Sequence, residues 1–431
     1  MKKILSFVMA VMVVSLTFAA DRQHTLKVYN WADYINEDVL KSFPQWYYEQ
    51  TGEKVEVIYQ TFDINESMLT QIEVGHEDYD VICPSEYIIE RMLKLNLLQP
   101  IKKDLVNEDI SYFYNVAPFV VEKFSQMSQT VDVSDYAVGY MWGTTGFLYN
   151  ADLVDVSDLQ SWGALLNPKY EDKILVKDAF RDVYSVLVLY AYYDDILAGK
   201  VTRDELVTNI TPERIAAVEK ILTDAKQNIA GWEVDFGKEE MTKGKILLDL
   251  SWSGDAQWAI DETEGTDVNL KYIVPQEGSN VWFDGWCIPI YAKNPKAATY
   301  FIDYMCRPDN AIKNMEEIGY VSVIATPEVL EAMIDDELEE TVDASYFFGE
   351  DGENVKLNPV FYPDKTVIER CALMHDAGDE AEELINMWNR VKGDNLSVGI
   401  IVFLVLVILV IIAFIVYRMV SSNKPQRRKR K

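Results

Sequence analysis

The chain has 431 residues, of which 49% are hydrophobic and 26% are charged. This composition is that of a globular protein and excludes a disordered or collagen-like chain, and the length suggests two or three compact units. The net charge of −30 excludes nucleic acid as the main partner, because phosphate binding needs a basic face.

The N-terminus has the features of a secretory signal. Lys2 and Lys3 precede an uncharged apolar stretch over residues 4–18, and Ala19 and Ala20 provide small side chains for cleavage. We predict a signal peptide over residues 1–19, so that the following chain is exported. An uncleaved membrane helix is the alternative interpretation.

The exported part alternates strand-like and helix-like segments. Apolar strands are predicted at residues 26–29, 55–59 and 80–83, with helices near 37–50 and 65–74. The clearest helix begins at Asn294 and Pro295, a cap followed by proline in the first turn, and ends before Pro308. This alternation predicts an α/β architecture with largely parallel sheets.

The C-terminal region has the features of a membrane anchor. Residues 398–417 contain no charged side chain. A helix of that length, at ~1.5 Å per residue, spans the ~30 Å hydrocarbon layer. Seven Lys and Arg residues follow within 418–431, and such charges favour the cytoplasmic side. We predict a transmembrane helix at 398–417 and a basic cytoplasmic tail at 418–431; a buried core helix is the alternative.

Common catalytic motifs are absent from the sequence. It contains no GxGxxG, GxxxxGK[ST], HExxH or GxSxG pattern. It has three His, which argues against a multi-histidine metal centre, and we predict no cofactor and no metal site. Cys83, Cys287, Cys306 and Cys371 lack CxxC spacing, so both disulfides and buried thiols remain open.

Aromatic and acidic residues recur together at the ends of segments. Such clusters stand at residues 31–34, 84–87, 178–184, 252–255 and 282–284. In parallel α/β sheets ligands bind beyond the carboxyl ends of the strands, so several clusters can line one cleft. Aromatic faces attract ammonium groups, and carboxylates bind them through charge-assisted hydrogen bonds. The pattern favours a polyamine, although each residue alone also fits a role in the core or in a helix cap.

Six motifs occur in order: YNWADYI at 29–35, DVICPSEY at 80–87, WGTTGFLYN at 142–150, WSGD at 252–255, WFDGWCIP at 282–289 and IGY at 318–320. Together they resemble the periplasmic spermidine/putrescine-binding proteins, the substrate receptors of polyamine ABC transporters. The resemblance runs from about Leu26 to Gly393. It implies a two-lobe, type II-like periplasmic-binding-protein fold with a hinge. Lobe 1 would comprise 20–139 and 275–319, and lobe 2 would comprise 140–274 and 320–393.

The resemblance also implies the ligand contacts. Four aspartates would bind amine groups, and the aromatic and hydroxyl side chains would pack the methylenes or add hydrogen bonds. The set is Trp31, Asp33, Tyr34, Ser85, Tyr87, Asp182, Trp252, Asp255, Trp282, Asp284 and Tyr320. Spermidine-preferring members have an acid where this chain has Ala179 and a Gln where it has Met374. Trp282 resembles the residue found in spermidine-preferring members. Taken together, the resemblance favours putrescine as the ligand, with spermidine second.

The leading interpretation is a membrane-tethered extracytoplasmic receptor in the periplasm. It would bind a polyamine, deliver it to the permease and ATPase subunits of an ABC transporter, and catalyse nothing. An exported carboxylate-dependent hydrolase such as a glycosidase, with a pair of acids across the scissile bond, is one alternative. A polyamine sensor that reports ligand occupancy to a membrane partner is another.

Overall fold

The structure is a computed structural model that describes residues 22–393. The predicted signal peptide, the predicted transmembrane helix at 398–417 and the basic tail lie outside the described residues. Within residues 22–393, no helix combines the length and the apolar character that crossing a bilayer requires.

Twelve strands form one mixed sheet over the described residues. They are β1 (Thr25–Trp31), β2 (Glu56–Phe62), β3 (Val81–Ile82), β4 (Leu98–Gln99), β5 (Ala137–Asn150), β6 (Ile174–Lys177), β7 (Ile229–Glu233), β8 (Leu248–Trp252), β9 (Leu270–Ile273), β10 (Ser279–Pro289), β11 (Val321–Ser322) and β12 (Cys371–Leu373). The main path is β2-β1-β3-β10-β5-β8-β6-β7; β4 and β12 also pair with β10, and β9 and β11 with β5.

The helices lie between these strands in the chain. They are α1 (Glu37–Thr51), α2 (Asn65–Glu73), α3 (Glu86–Lys94), α4 (Pro118–Ser125), α5 (Phe180–Ala191), α6 (Tyr193–Leu197), α7 (Arg203–Thr208), α8 (Pro212–Asp224), α9 (Phe236–Thr242), α10 (Ser253–Glu262), α11 (Pro295–Met305), α12 (Pro308–Ile318), α13 (Pro327–Met333), α14 (Ser345–Phe348), α15 (Lys365–Ile368) and α16 (Ala381–Gly393). The helix predicted after Asn294 is confirmed as α11, and the Asn294 side chain caps it by accepting from the Ala297 N–H.

The sheet is parallel at its two ends and antiparallel in the middle. β1 pairs parallel with β2 and β3, and β6 pairs parallel with β7 and β8. The two longest strands, β5 and β10, pair antiparallel with each other. The prediction of largely parallel sheets is therefore right for the ends and wrong for the centre. Both long strands are buried along their whole length, so their apolar pattern does not distinguish the two directions.

Buried apolar side chains form two large clusters. The first draws on residues 26–142 and 281–373, and the second mainly on 147–250 and 384–391. β5 passes from one to the other, with Trp142 in the first cluster and Phe147 in the second. The predicted lobe boundaries stay a prediction; in the structure nearly all buried apolar side chains of 321–368 belong to the first cluster.

The four cysteines are buried thiols without disulfide bonds. Burial raises the pKa of Cys371 to about 12, so its thiol stays protonated at neutral pH. Of the two possibilities that the sequence left open, the structure contains the buried thiols.

Candidate functional site

A cavity of about 320 Å³ lies where the two clusters face each other. All eleven predicted site residues line it: Trp31, Asp33, Tyr34, Ser85, Tyr87, Asp182, Trp252, Asp255, Trp282, Asp284 and Tyr320. The structure thus brings together residues that are separated by up to about 290 positions in the chain. Their contact with a ligand stays a prediction.

The site residues on strands occupy two kinds of position. Trp31 and Trp252 are the last residues of β1 and β8, at strand carboxyl ends, as the clusters predicted. Trp282 and Asp284 instead lie inside β10, where the pairing with β5 shifts register directly after Asp284. Such a bulge re-aims a side chain, and here the Asp284 carboxylate lies in the cavity wall.

Asp284 is a buried carboxylate held by hydroxyl groups. Tyr34 donates to its Oδ2 at 2.8 Å, and Ser85 donates to its Oδ1 at 2.7 Å. Its residue exposure is 7%, and burial raises the pKa of this carboxyl to about 7 in spite of both hydrogen bonds. Among residues 22–393, no Lys or Arg forms a salt bridge with it. We call Asp284, Tyr34, Ser85 and the neighbouring Asp182 the Asp284 end of the cavity.

Asp182 adds a second buried carboxylate to this end. The side-chain amide of Asn280 donates to Asp182 Oδ1 at 2.8 Å. Burial raises the pKa of Asp182, and the negative charge of Asp182 contributes to the raised pKa of Asp284. Two buried carboxylates close to each other form a site that attracts a cation.

The back wall of this end contains two charged residues that sequence reasoning missed. Glu66 accepts a hydrogen bond from the Tyr87 hydroxyl at 3.2 Å, and burial raises its pKa. The Arg181 guanidinium lies 5.5 Å from the Tyr87 ring and donates to the His375 carbonyl at 2.6 Å. Both line the cavity. The position of Arg181 next to Asp182, directly after β6, was the available signal.

Asp255, in contrast, already has cationic partners. Lys177 donates to its Oδ2 at 2.6 Å, and the Lys238 ammonium lies 3.5 Å from its Oδ1. Tyr320 donates to the same Oδ1 at 2.8 Å. Burial alone would raise the pKa of Asp255, but the two lysines outweigh it and hold the pKa below its usual value. We call Asp255, Lys177, Glu233, Lys238, Trp252 and Tyr320 the Asp255 end.

Lys177 is a fully buried cation that the sequence analysis did not single out. Its nitrogen lies 2.7 Å from a Glu233 carboxylate oxygen and 4.5 Å from the Trp252 ring centroid. Burial would lower the pKa of Lys177, yet Asp255 and Glu233 raise it, so the ammonium stays charged. A lysine at the end of the otherwise apolar strand Ile174–Lys177 was the signal that could have found it.

Aromatic rings connect the two ends. The Tyr320 ring packs against Tyr34 at 5.1 Å and against Trp282 at 5.7 Å between centroids. A Cβ atom on Gly254 would fall 2.3 Å from the Tyr320 ring. The glycine of the WSGD motif therefore gives Tyr320 the space from which its hydroxyl reaches Asp255.

Comparisons with known proteins show which proteins this chain is similar to. Residues 45–343 match a family model described as bacterial extracellular solute-binding protein. The spermidine/putrescine-binding periplasmic protein of Salmonella typhimurium is 30% identical over 71% of this chain and 79% of its own length. The putrescine-binding periplasmic protein PotF of Escherichia coli is 28% identical over 74% of this chain and 83% of its own.

A solved structure gives the same result for the fold. The spermidine/putrescine ABC transporter substrate-binding protein PotD of Streptococcus pneumoniae superposes with a TM-score of 0.62 at 27% identity. The match covers 86% of this chain and 98% of the other. The predicted two-lobe fold with mixed α/β content is confirmed by this likeness.

Proposed function

Because the chain belongs to the bacterial extracellular solute-binding protein family, we propose that it is an extracytoplasmic polyamine receptor of an ABC transporter. It binds putrescine or spermidine in the cavity between its lobes and delivers the ligand to a permease, without catalysing a reaction. The observation that carries this proposal is the single cavity that all eleven predicted residues line. The hydrolase and sensor alternatives find no support in the relatives.

The chemistry of the cavity fits an alkyl amine. Asp284 and Asp182 are buried carboxylates without a salt-bridge partner among the described residues, and a ligand ammonium supplies the missing cation. Trp282, Tyr34 and Tyr320 present rings that pack against methylene groups and attract ammonium through the ring quadrupole. One ligand with cationic and apolar parts satisfies both features.

The division into lobes follows from the same geometry. We propose two lobes that correspond to the two buried clusters, joined where β5 and β10 cross between them. In this division the stretch 321–368, which the resemblance placed in lobe 2, belongs to lobe 1. Tyr320 and Trp282 then stand at the junction, and closure on a ligand that contacts both lobes is a hinge motion.

Membrane anchoring is the part of the proposal that rests on sequence alone. The uncharged run at 398–417 and the basic residues after it fit a helix whose C-terminal end is cytoplasmic. Such a tether keeps the receptor beside its permease and raises its effective concentration there. Recovery of the full-length protein in the carbonate-washed membrane fraction, and its release when residues 394–431 are deleted, is the expected result.

Calorimetry tests the central proposal. Purified full-length protein in a mild detergent is titrated with putrescine, spermidine, spermine and cadaverine, with glucose and glutamate as uncharged and acidic comparison ligands. We expect saturable heat with at least one of the four amines and none with the comparison ligands. Heats equal to dilution for all four amines would refute the proposed function.

A further inference from the structure

The Asp255 end contains a complete ammonium-binding site that is already filled. Three oxygens lie within 2.7 Å of the Lys177 nitrogen, from Asp255, Glu233 and the Val234 carbonyl. The Trp252 ring lies beside the same nitrogen, 4.5 Å away. Two carboxylates, a carbonyl and an aromatic face are the groups that hold a ligand ammonium, and here they hold the protein's own.

The ion pairs at this end are also balanced without a ligand. Lys177 and Lys238 supply two positive charges, and Asp255 and Glu233 supply two negative ones. The neighbouring Asp249 is fully buried with neither carboxyl oxygen hydrogen-bonded, and burial raises its pKa well above the usual value. The further carboxylate that lines this end, Asp235, is exposed to solvent, so an additional ammonium here meets two cations and buried carboxylates that are already paired with lysines.

At the opposite end the protein's cation, Arg181, lies against the Tyr87 ring and donates to the His375 carbonyl instead of bonding a carboxylate. Tyr34 and Ser85 donate to Asp284 and Asn280 donates to Asp182, and within 22–393 neither carboxylate forms a salt bridge. A short ligand that places its ammonium at the Asp284 end gains an ion pair there. A longer polyamine that extends to the Asp255 end brings its next ammonium against Lys177 and Lys238.

We propose that Lys177 is a specificity-determining residue, whose ammonium replaces a ligand ammonium at Asp255 and restricts the receptor to short alkyl diamines. Triamines and tetraamines of the spermidine and spermine type bind more weakly because their additional charge meets Lys177 and Lys238 at that end. This inference rests on the proposed function and names the ligand class for the same cavity.

The test is the ratio of spermidine to putrescine dissociation constants, measured by calorimetry on the full-length protein. The wild-type protein is expected to bind putrescine at least about 10-fold more tightly than spermidine. Lys177→Met keeps the length of the side chain and removes the charge, so the ratio should fall by about 10-fold or more, through tighter spermidine binding. Lys220→Met removes an exposed lysine that pairs with Asp224, and should leave the ratio within about 2-fold.

Two further variants sharpen the test. Adding Asp255→Asn to Lys177→Met removes the carboxylate that the lysine had covered, and should return the ratio towards that of the wild type. Lys177→Met/Glu233→Gln removes one charge of each sign and replaces the single variant if that variant does not fold. The ratio of spermidine to putrescine dissociation constants should fall in it by the same amount.

The outcomes separate the two proposals. Wild-type protein that binds spermidine as tightly as putrescine overturns the inference, and so does an unchanged ratio in whichever Lys177 variant folds. In both cases amines still bind, so the proposed function stands. Absence of binding by every amine is the different result that refutes the function itself.

Discussion

Each end of the cavity contains a buried aspartate that accepts a hydrogen bond from a tyrosine, but the pKa values of the two aspartates are shifted in opposite directions. Asp284 accepts a hydroxyl hydrogen bond from Tyr34 at 2.8 Å, and Asp255 accepts one from Tyr320 at 2.8 Å. Burial raises the pKa of Asp284 to about 7, whereas Lys177 and Lys238 overcome burial and lower the pKa of Asp255. The difference between the ends is therefore a protein ammonium that bonds directly to Asp255, whereas no Lys or Arg among the described residues forms a salt bridge with Asp284.

This difference decides whether a buried carboxylate is stable in the empty protein or is available to bind a ligand. A buried carboxylate without a cation costs free energy in the empty protein, and a cationic ligand relieves that cost on binding. A buried carboxylate with its own lysine is stable in the empty protein and gains little from a ligand. Variants that remove one partner at a time test this contrast.

The largest effect is expected from removing Lys177. Lys177→Met leaves Asp255 and Glu233 as buried carboxylates with a reduced cationic environment, and unpairing a buried ion costs about 3–5 kcal/mol. Urea unfolding followed by tryptophan fluorescence measures the loss. The control Lys177→Met/Glu233→Gln should lose less, because it leaves one unpaired carboxylate fewer. Equal stability of Lys177→Met and wild type would contradict the described ion cluster.

Removal of the Asp284 charge should weaken amine binding at the other end. Asp284→Asn keeps the shape of the side chain and leaves a ligand ammonium without its charged partner. We expect putrescine affinity to fall by at least about 1.5 kcal/mol, roughly 10-fold. Calorimetry at pH 8, where Asp284 is ionised, measures the change. Asp255→Asn is the matched comparison and should cost less affinity; an equal or larger loss would erase the contrast between the ends.

Amine affinity should also depend on pH near neutrality. Below a pKa of about 7 the empty site carries a proton on Asp284, and an ammonium ligand must displace it. Affinity should therefore decrease as the pH falls, by about 10-fold between pH 8 and pH 6. Alkyl amines stay protonated over this range, so the ligand contributes no opposing change. A flat profile in Asp284→Asn is the control, and a flat wild-type profile would remove Asp284 from the site.

The same raised pKa predicts how stability depends on pH. A carboxyl with a higher pKa in the folded protein favours folding while it is protonated, and this contribution is lost as pH rises from about 4 through about 7. In Asp284→Asn the group does not titrate. The empty variant should therefore gain stability relative to wild type as the pH increases to 8, and thermal melts at several pH values measure the trend.

Most of the contrast between the two ends could not be predicted from the sequence, and the reason is physical. The aromatic–acidic clusters pointed to most of the cavity residues, and the resemblance added Tyr320; Trp31 and Trp252 lie at strand ends as expected, whereas Trp282 and Asp284 lie inside β10. The role of Lys177 depends on partners 56 and 78 positions away, which come together only when β6 pairs with β7 and β8. The antiparallel centre was missed because buried strands such as β5 have the same apolar pattern in either direction.

The smallest expected effect concerns Lys238, which separates the contributions of the two lysines. Its ammonium lies 3.5 Å from Asp255, beyond an ideal ion-pair distance, and its side chain is 22% exposed. Lys238→Met should cost about 0.5–1 kcal/mol of stability, since solvent screens part of the interaction. It should also improve spermidine binding by about 2–3-fold, because one of two repelling cations is gone. If Lys238→Met instead changed spermidine affinity more than Lys177→Met, the exposed lysine would be the one that excludes the longer amine, and the filled site around Lys177 would serve stability alone.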